Sequence, residues 1–239
     1  MGAGTDPRRQ RPLAVSMGDP AGIGPEITLR AWLERSDRGL DPFVVFGDQQ
    51  VFADRARLLG LAVPIAAVTA PGEALEVFGG ALPVLHSPLP ARVTAGCADG
   101  ANAAGIVGAI EAATAAVVRG EAAALVTNPI AKHVVKSSSF PFPGHTEFLA
   151  ALAERHTGRH AHPVMMLVSH ELRVVPLTVH CALAEVPKAI NRGLIFETAR
   201  TTYAALKRDF AAVKHVKPAA SRSDSAELYV LATGFRGAT

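Results

Sequence analysis

Residues 13 to 33, "LAVSMGDPAGIGPEITLRAWL", constrain the fold more than any other stretch. The apolar run "PLAVSM" suits a strand buried on both faces. "PEITLRAWLER" places Ile27, Ala31 and Leu33 on a helix that starts at Pro25. Between them Gly18, Gly22 and Gly24 permit tight turns and close backbone approach. The unit then recurs: "PFVVFG" reads as a strand followed by helical "QQVFADRARLLGL", with "VPIAAV" and "ALPVLH" as further strands. Such alternation predicts a parallel sheet covered by helices. A long alanine-rich helix is expected from Asn102 to Arg119, and "AAALVTNPI" is a strand that breaks into a loop at Asn128-Pro129. In open α/β sheets the carboxyl ends of the strands are where ligands bind. "PVMMLVSH" and "LRVVPLTVH" read as two more strands separated by a short turn, and "VPKAINRGLIFETARTTYAALKRDF" as helical. Beyond Phe210 no period is legible apart from a short apolar run at Leu228 to Ala232.

The 239 residues suffice for one large domain or two smaller ones. Aromatic residues are only 5% of a chain that is 49% hydrophobic, so its core is built from small side chains, as in α/β or α-rich proteins. The net charge of +3 is spread along the chain apart from "DPRRQRP" and "VKHVKP", which gives no patch for nucleic acid. Cys97 and Cys181 stand in no metal-binding spacing and suit a reducing compartment. No apolar segment precedes Leu13, and no uninterrupted apolar run reaches the roughly 18 residues of a membrane span. A soluble, cytoplasmic protein with neither membrane nor nucleic-acid partner is the expectation.

Four motifs carry candidate chemistry. "SMGDPAGIGPEI" matches neither the dinucleotide fingerprint nor the P-loop, yet the helix start at Pro25 favours an anion; alternatively, Glu26 simply caps its own helix. In "TNPIAKH", Lys132 lies just past a strand end, where an ammonium can meet an anion or exchange a proton, or else remain solvated. In "FPFPGHTEFLA", His145 or Thr146 can cap the following helix with Glu147 in its first turn. A histidine there can also donate to an oxyanion or shuttle a proton, and spacing does not separate these roles. His180 ends a strand, as a structural histidine or a metal ligand. His156, His160 and His162 in "ERHTGRHAHP" read as a polar loop after a helix rather than a metal cluster.

Taken in order, "MGDPAGIGPE", "TNPIAK", "FPGHTEFLA" and "LTVH" resemble the 4-hydroxythreonine-4-phosphate dehydrogenase family of vitamin B6 biosynthesis, over roughly Leu13 to Phe210. The resemblance implies a three-layer α/β/α fold like that of the isocitrate and isopropylmalate dehydrogenases, in a two-domain subunit. It also implies a homodimer with its site at the subunit interface, NAD or NADP, and a divalent metal (Zn, Mg or Co) held by histidines. The implied reaction oxidises the 3-hydroxyl of 4-phosphooxy-L-threonine, and loss of carbon dioxide then gives 3-amino-2-oxopropyl phosphate. By position, His145 and Thr146 match the family's substrate-binding pair and His180 the first of its three metal-binding histidines. Lys132 is a chemical candidate for proton transfer or anion binding, Glu147 is expected to support the helix start, and no cofactor-binding residue is assigned.

The family's Asn-Pro-His-Ala-Gly and Tyr-His-Asp-Gln-Gly segments are absent after Phe210. The expected organisation is therefore a flexible segment 1–12, an incomplete dehydrogenase-like region 13–210, and a divergent tail 211–239 that reads as a truncation or frame shift and impairs activity. Two alternatives stay open: oxidation of another four-carbon phosphorylated hydroxy acid or a dihydrodiol, and a non-catalytic remnant.

Overall fold

The five apolar runs of the first half form one parallel sheet. The computed structural model describes residues 11–136, 141–142, 144–161, 163–169, 173–179, 181–216 and 229–235. In it Leu13–Ser16 (β1), Phe43–Gly47 (β2), Ile65–Val68 (β3), Leu82–His86 (β4) and Leu125–Thr127 (β5) pair in the order β3-β4-β2-β1-β5. Every neighbouring pair is parallel, with Val15 in register with Val45 on one side and Val126 on the other. All five residues of β2 are buried, as a central strand covered on both faces requires.

Successive residues of β1 serve opposite faces. Val15 and Met17 pack with Leu29 and Trp32 of helix α1 (Gly24–Leu33) and with Val51 and Phe52 of helix α2 (Gln49–Leu58). Ala14, with Val44 and Phe46, packs on the other face against Ala74 of α3 (Ala74–Val77) and Ala113 and Ala116 of α4 (Ala103–Val118). The result is the expected helix–sheet–helix layering. Helix α1 has its proline in the first turn and ends at Glu34. Asp48 caps α2 by accepting from the Gln50 N–H at 2.8 Å.

By length and composition, the stretch from Gly100 to Val118 is apolar enough to cross a membrane. Here that apolarity is spent on packing: Ala103, Ile106, Ala109, Ile110, Ala113 and Ala116 are all buried. Its far side receives two further helices. Val134 and Val135 of α5 (Lys132–Lys136) lie against Ile106, and Phe148 and Leu152 of α6 (His145–Thr157) lie against Ile110.

The chain divides into two compact units, Met1–Ala161 and His162–Thr239. In the second, the two strands expected before residue 180 amount to an antiparallel pair of two residues each, Leu167–Val168 (β6) and Arg173–Val174 (β7), with Leu167 and Val168 exposed. The long helical pattern divides into α7 (Val186–Ala189) and α8 (Arg192–Asp209). Ile190 is extended there, and Asn191 restarts the helix by accepting from the Leu194 N–H at 3.0 Å. The tail without a legible period carries Phe210–Val216 (β8) and Tyr229–Phe235 (β9), paired antiparallel.

Candidate active site

The chain leaves β1 and β5 toward opposite faces of the sheet, because α1 packs on one face while α5 joins α4 on the other. Adjacent parallel strands whose crossovers diverge leave a crevice at their carboxyl ends. Its two walls are the glycine loop after β1 and the Asn128-Pro129 turn after β5, and they are fused by direct bonds. The Asp19 N–H donates to the Pro129 carbonyl at 2.9 Å. The Asn128 amide donates to the Ser16 carbonyl at 3.0 Å and to the Thr28 hydroxyl at 2.8 Å, and all three residues are buried. Gly18 has φ +73°, and a Cβ there would lie 2.6 Å from the Pro129 carbonyl oxygen. A Cβ at Gly24 would lie 2.7 Å from the Met17 carbonyl oxygen. Only glycine permits both approaches.

On the far side of the glycine loop, Arg55 of α2 is 7% exposed. It donates to the carbonyls of Gly22 at 2.7 Å and Pro20 at 3.1 Å. Asp19, also buried, turns its carboxylate onto the Ala21 N–H at 2.9 Å. Sequence reasoning missed Arg55, Asp19, Thr28 and Asn128 as builders of this loop. The available signal was a polar residue on the apolar face of a helix, which Arg55 and Thr28 both are.

Lys132 opens α5 four residues beyond Asn128 and is exposed. His145, Thr146 and Glu147 form the first turn of α6, so of the roles open to His145 and Thr146 capping is not the one observed. Gly144 is the N-cap, extended at φ −169°, ψ −171°, and it has no side chain to offer the helix. Glu147 does sit in the first turn, where its charge favours the helix start. Glu26, likewise in its helix's first turn, pairs with Arg30 at 3.0 Å. Burial of the His145 ring, and secondly the nearby Lys132 ammonium, hold its pKa below the ordinary 6.5. The Nε2 of His145 and the Oε2 of Glu147 are buried with no hydrogen-bond partner. Buried groups of this kind ordinarily find a partner, and at a site the partner is often a ligand. Lys132 and His145 are thus brought within electrostatic reach of each other, whereas His180 and His162 lie outside the described residues. His156 closes α6, and the His160 Nδ1 lies 3.4 Å from the Glu154 carboxylate. Among the described residues no three side chains of metal-ligating type converge.

Residues 39–217 match the model of the pyridoxal phosphate biosynthetic protein PdxA family. The chain belongs to this family. Similar PdxA-family proteins include the 4-hydroxythreonine-4-phosphate dehydrogenase of Methylorubrum extorquens, 51% identical over 202 residues, which cover 84% of this chain and 58% of the relative. That of Xanthobacter autotrophicus is 48% identical over 200 residues, covering 83% and 57%. The crystal structure of the Klebsiella pneumoniae 4-hydroxythreonine-4-phosphate dehydrogenase superposes with a TM-score of 0.71 at 27% identity, over 83% of this chain and 60% of that one. The chain therefore spans somewhat under three fifths of the length of these two curated relatives.

Proposed function

We propose that the crevice between β1 and β5 is the substrate-binding part of a 4-hydroxythreonine-4-phosphate dehydrogenase site. In this role the chain oxidises 4-phosphooxy-L-threonine with NAD or NADP, and decarboxylation follows. The observation that carries this reading is the approach of Lys132, four residues beyond the Asn128-Pro129 turn, to the half-buried His145 imidazole, whose Nε2 has no hydrogen-bond partner. An anion entering there meets an ammonium, the Thr146 hydroxyl and the free N–H groups at the start of α6, a helix long enough to favour negative charge at that end. His145, neutral before the anion arrives, takes up a proton more readily once a negative charge lies beside it. Lys132 offsets charge at the same point or exchanges a proton with the substrate.

The metal part of the reading rests on His180 as a ligand. Since the described residues hold no cluster that completes such a site, we derive no step through a metal. A homodimer belongs to the same proposal.

Binding of 4-phosphooxy-L-threonine, measured by calorimetry, tests the reading. The chain should bind it, and His145→Ala should weaken binding at least about tenfold, the loss of one charge-assisted hydrogen bond. The thermal midpoint should stay within a few degrees, because His145 contributes little to the core. Equal binding by both proteins overturns the assignment. Formation of NADH or NADPH with added Zn, Mg or Co then separates a chain that turns over from one that only binds.

A further inference from the structure

Three successive carbonyls of the glycine loop are engaged from the side away from the crevice. Arg55 of α2 donates to Pro20 and Gly22, and the Gly96 N–H donates to Ala21 at 2.8 Å. In a trans peptide the N–H lies opposite the carbonyl. The N–H groups of Ala21 and Gly22 therefore leave the other edge of the loop, and both end on Asp19: Ala21 on its carboxylate at 2.9 Å, Gly22 on its carbonyl at 3.0 Å. Asp19, fixed at both ends, passes its own N–H to the Pro129 carbonyl on the other wall of the crevice. The contacts continue beyond that turn. Ile130 packs with the cluster of Val134 and Val135 and with the cluster of Phe148. Lys132 follows Ile130 by two residues and opens α5, while His145 precedes Phe148 by three in the first turn of α6. A displacement of Pro129 thus reaches both residues whose approach marks the site.

Stability alone does not call for a charge at residue 55. Arg55 is buried, and among the described residues no carboxylate stands in ion-pair contact with it, so no salt bridge offsets its desolvation. Val51, Phe52 and Ala56 share this buried face of α2, where an apolar neighbour would pack without that cost. What the guanidinium supplies is geometry: a rigid planar fork that fixes two carbonyls two residues apart.

We propose that Arg55 is a positioning residue for the crevice, acting through the glycine loop and the Asn128-Pro129 turn to set where Lys132 stands relative to His145. Its consequence for substrate rests on the proposed dehydrogenase function; its consequence for Lys132 and His145 does not.

A double-mutant cycle read by NMR titration tests the relay. The Lys132 ammonium contributes to the lowering of the His145 pKa. Arg55→Ala should let Lys132 drift from the ring and raise that pKa, and in a Lys132→Gln background the same substitution should change nothing further. Arg55→Met, which fills the same face beside Phe52 without a charge, should behave as Arg55→Ala does, whereas Arg55→Lys, which keeps an ammonium donor, should stay nearer the parent protein. Simple loss of a distant positive charge would add equally in both backgrounds, so equal shifts in the two, or the absence of any rise, overturns the proposal.

Chemical rescue separates positioning from stability. A cleft of about 690 Å³ between α2 and the loop 89–95 is lined by Arg55 and Pro20, so a free guanidinium can reach the place the side chain leaves. By calorimetry, Arg55→Ala should bind 4-phosphooxy-L-threonine about tenfold more weakly. Guanidinium, below the concentrations that unfold the protein, should restore the affinity, whereas tetramethylammonium, which carries the charge but no N–H, should not. Unchanged affinity in Arg55→Ala, no recovery with guanidinium, or equal recovery with tetramethylammonium overturns the relay and leaves the crevice as a substrate site. Failure of the parent protein to bind 4-phosphooxy-L-threonine overturns the substrate reading alone, and the His145 cycle then decides the relay.

Discussion

At the scale of single residues, Gly18 and His145 carry the sharpest consequences. Gly18→Ala forces a side chain into positive φ and against the Pro129 carbonyl, 2.6 Å from the new Cβ. A cost of about 1–3 kcal/mol for the backbone alone is expected, readable as a lower midpoint in denaturant unfolding. His145 has a pKa depressed by burial first and by Lys132 second. A histidine with a lowered folded pKa binds fewer protons folded than unfolded. Its contribution to stability is therefore fully present above the unfolded value of 6.5 and is lost as pH falls from there toward the folded pKa. In an NMR titration, Lys132→Gln should raise the His145 pKa without bringing it to the ordinary value, because the burial remains. An unchanged pKa would place the Lys132 ammonium beyond electrostatic reach of the His145 ring.

At the scale of elements, α4 is the joint on which the site depends. Ile110 is fully buried between α4 and α6 beside Phe148 and Leu152. Ile110→Ala should cost about 2–5 kcal/mol and loosen the first turn of α6. Hydrogen exchange at Phe148 and Leu149 measures that loosening. The five strands and helices α1, α2, α4 and α6 of the first unit were legible because each run is long enough to show its period, whereas the short α3 and α5 were not. The glycine loop and the Asn128-Pro129 break were legible as turn chemistry at a strand end. What the sequence concealed lies in contacts between distant segments. The helical period of "FADRARLL" places Arg55 on the apolar face with Val51 and Phe52, but nothing local names the carbonyls of Pro20 and Gly22 as what it holds there. Gly144 as the cap of α6 was hidden for another reason: a glycine cap works through its backbone conformation, and the polar residues beside it look like better candidates.

At the scale of the molecule, the four buried apolar clusters found among the described residues all lie within the first unit, between Ala14 and Leu152. A fragment ending at Ala161, the last residue of that unit, should therefore unfold cooperatively on heating. Circular dichroism should follow that transition, and a broad, non-cooperative melt would show that the second unit is needed for the first to hold. The pairing of β1 with both β2 and β5 also sets an order of events during synthesis. Strands β1 to β4 leave the ribosome early and can pair among themselves, since their neighbours in the sheet are one another. The Asn128-Pro129 turn arrives only after the whole of α4, and until then the Asp19 N–H and the backbone of Gly18 lack the carbonyl they rest on. A nascent chain halted before Asn128 thus holds most of a sheet and no binding crevice, and the newest turn on the growing chain completes a loop that was among the first parts made.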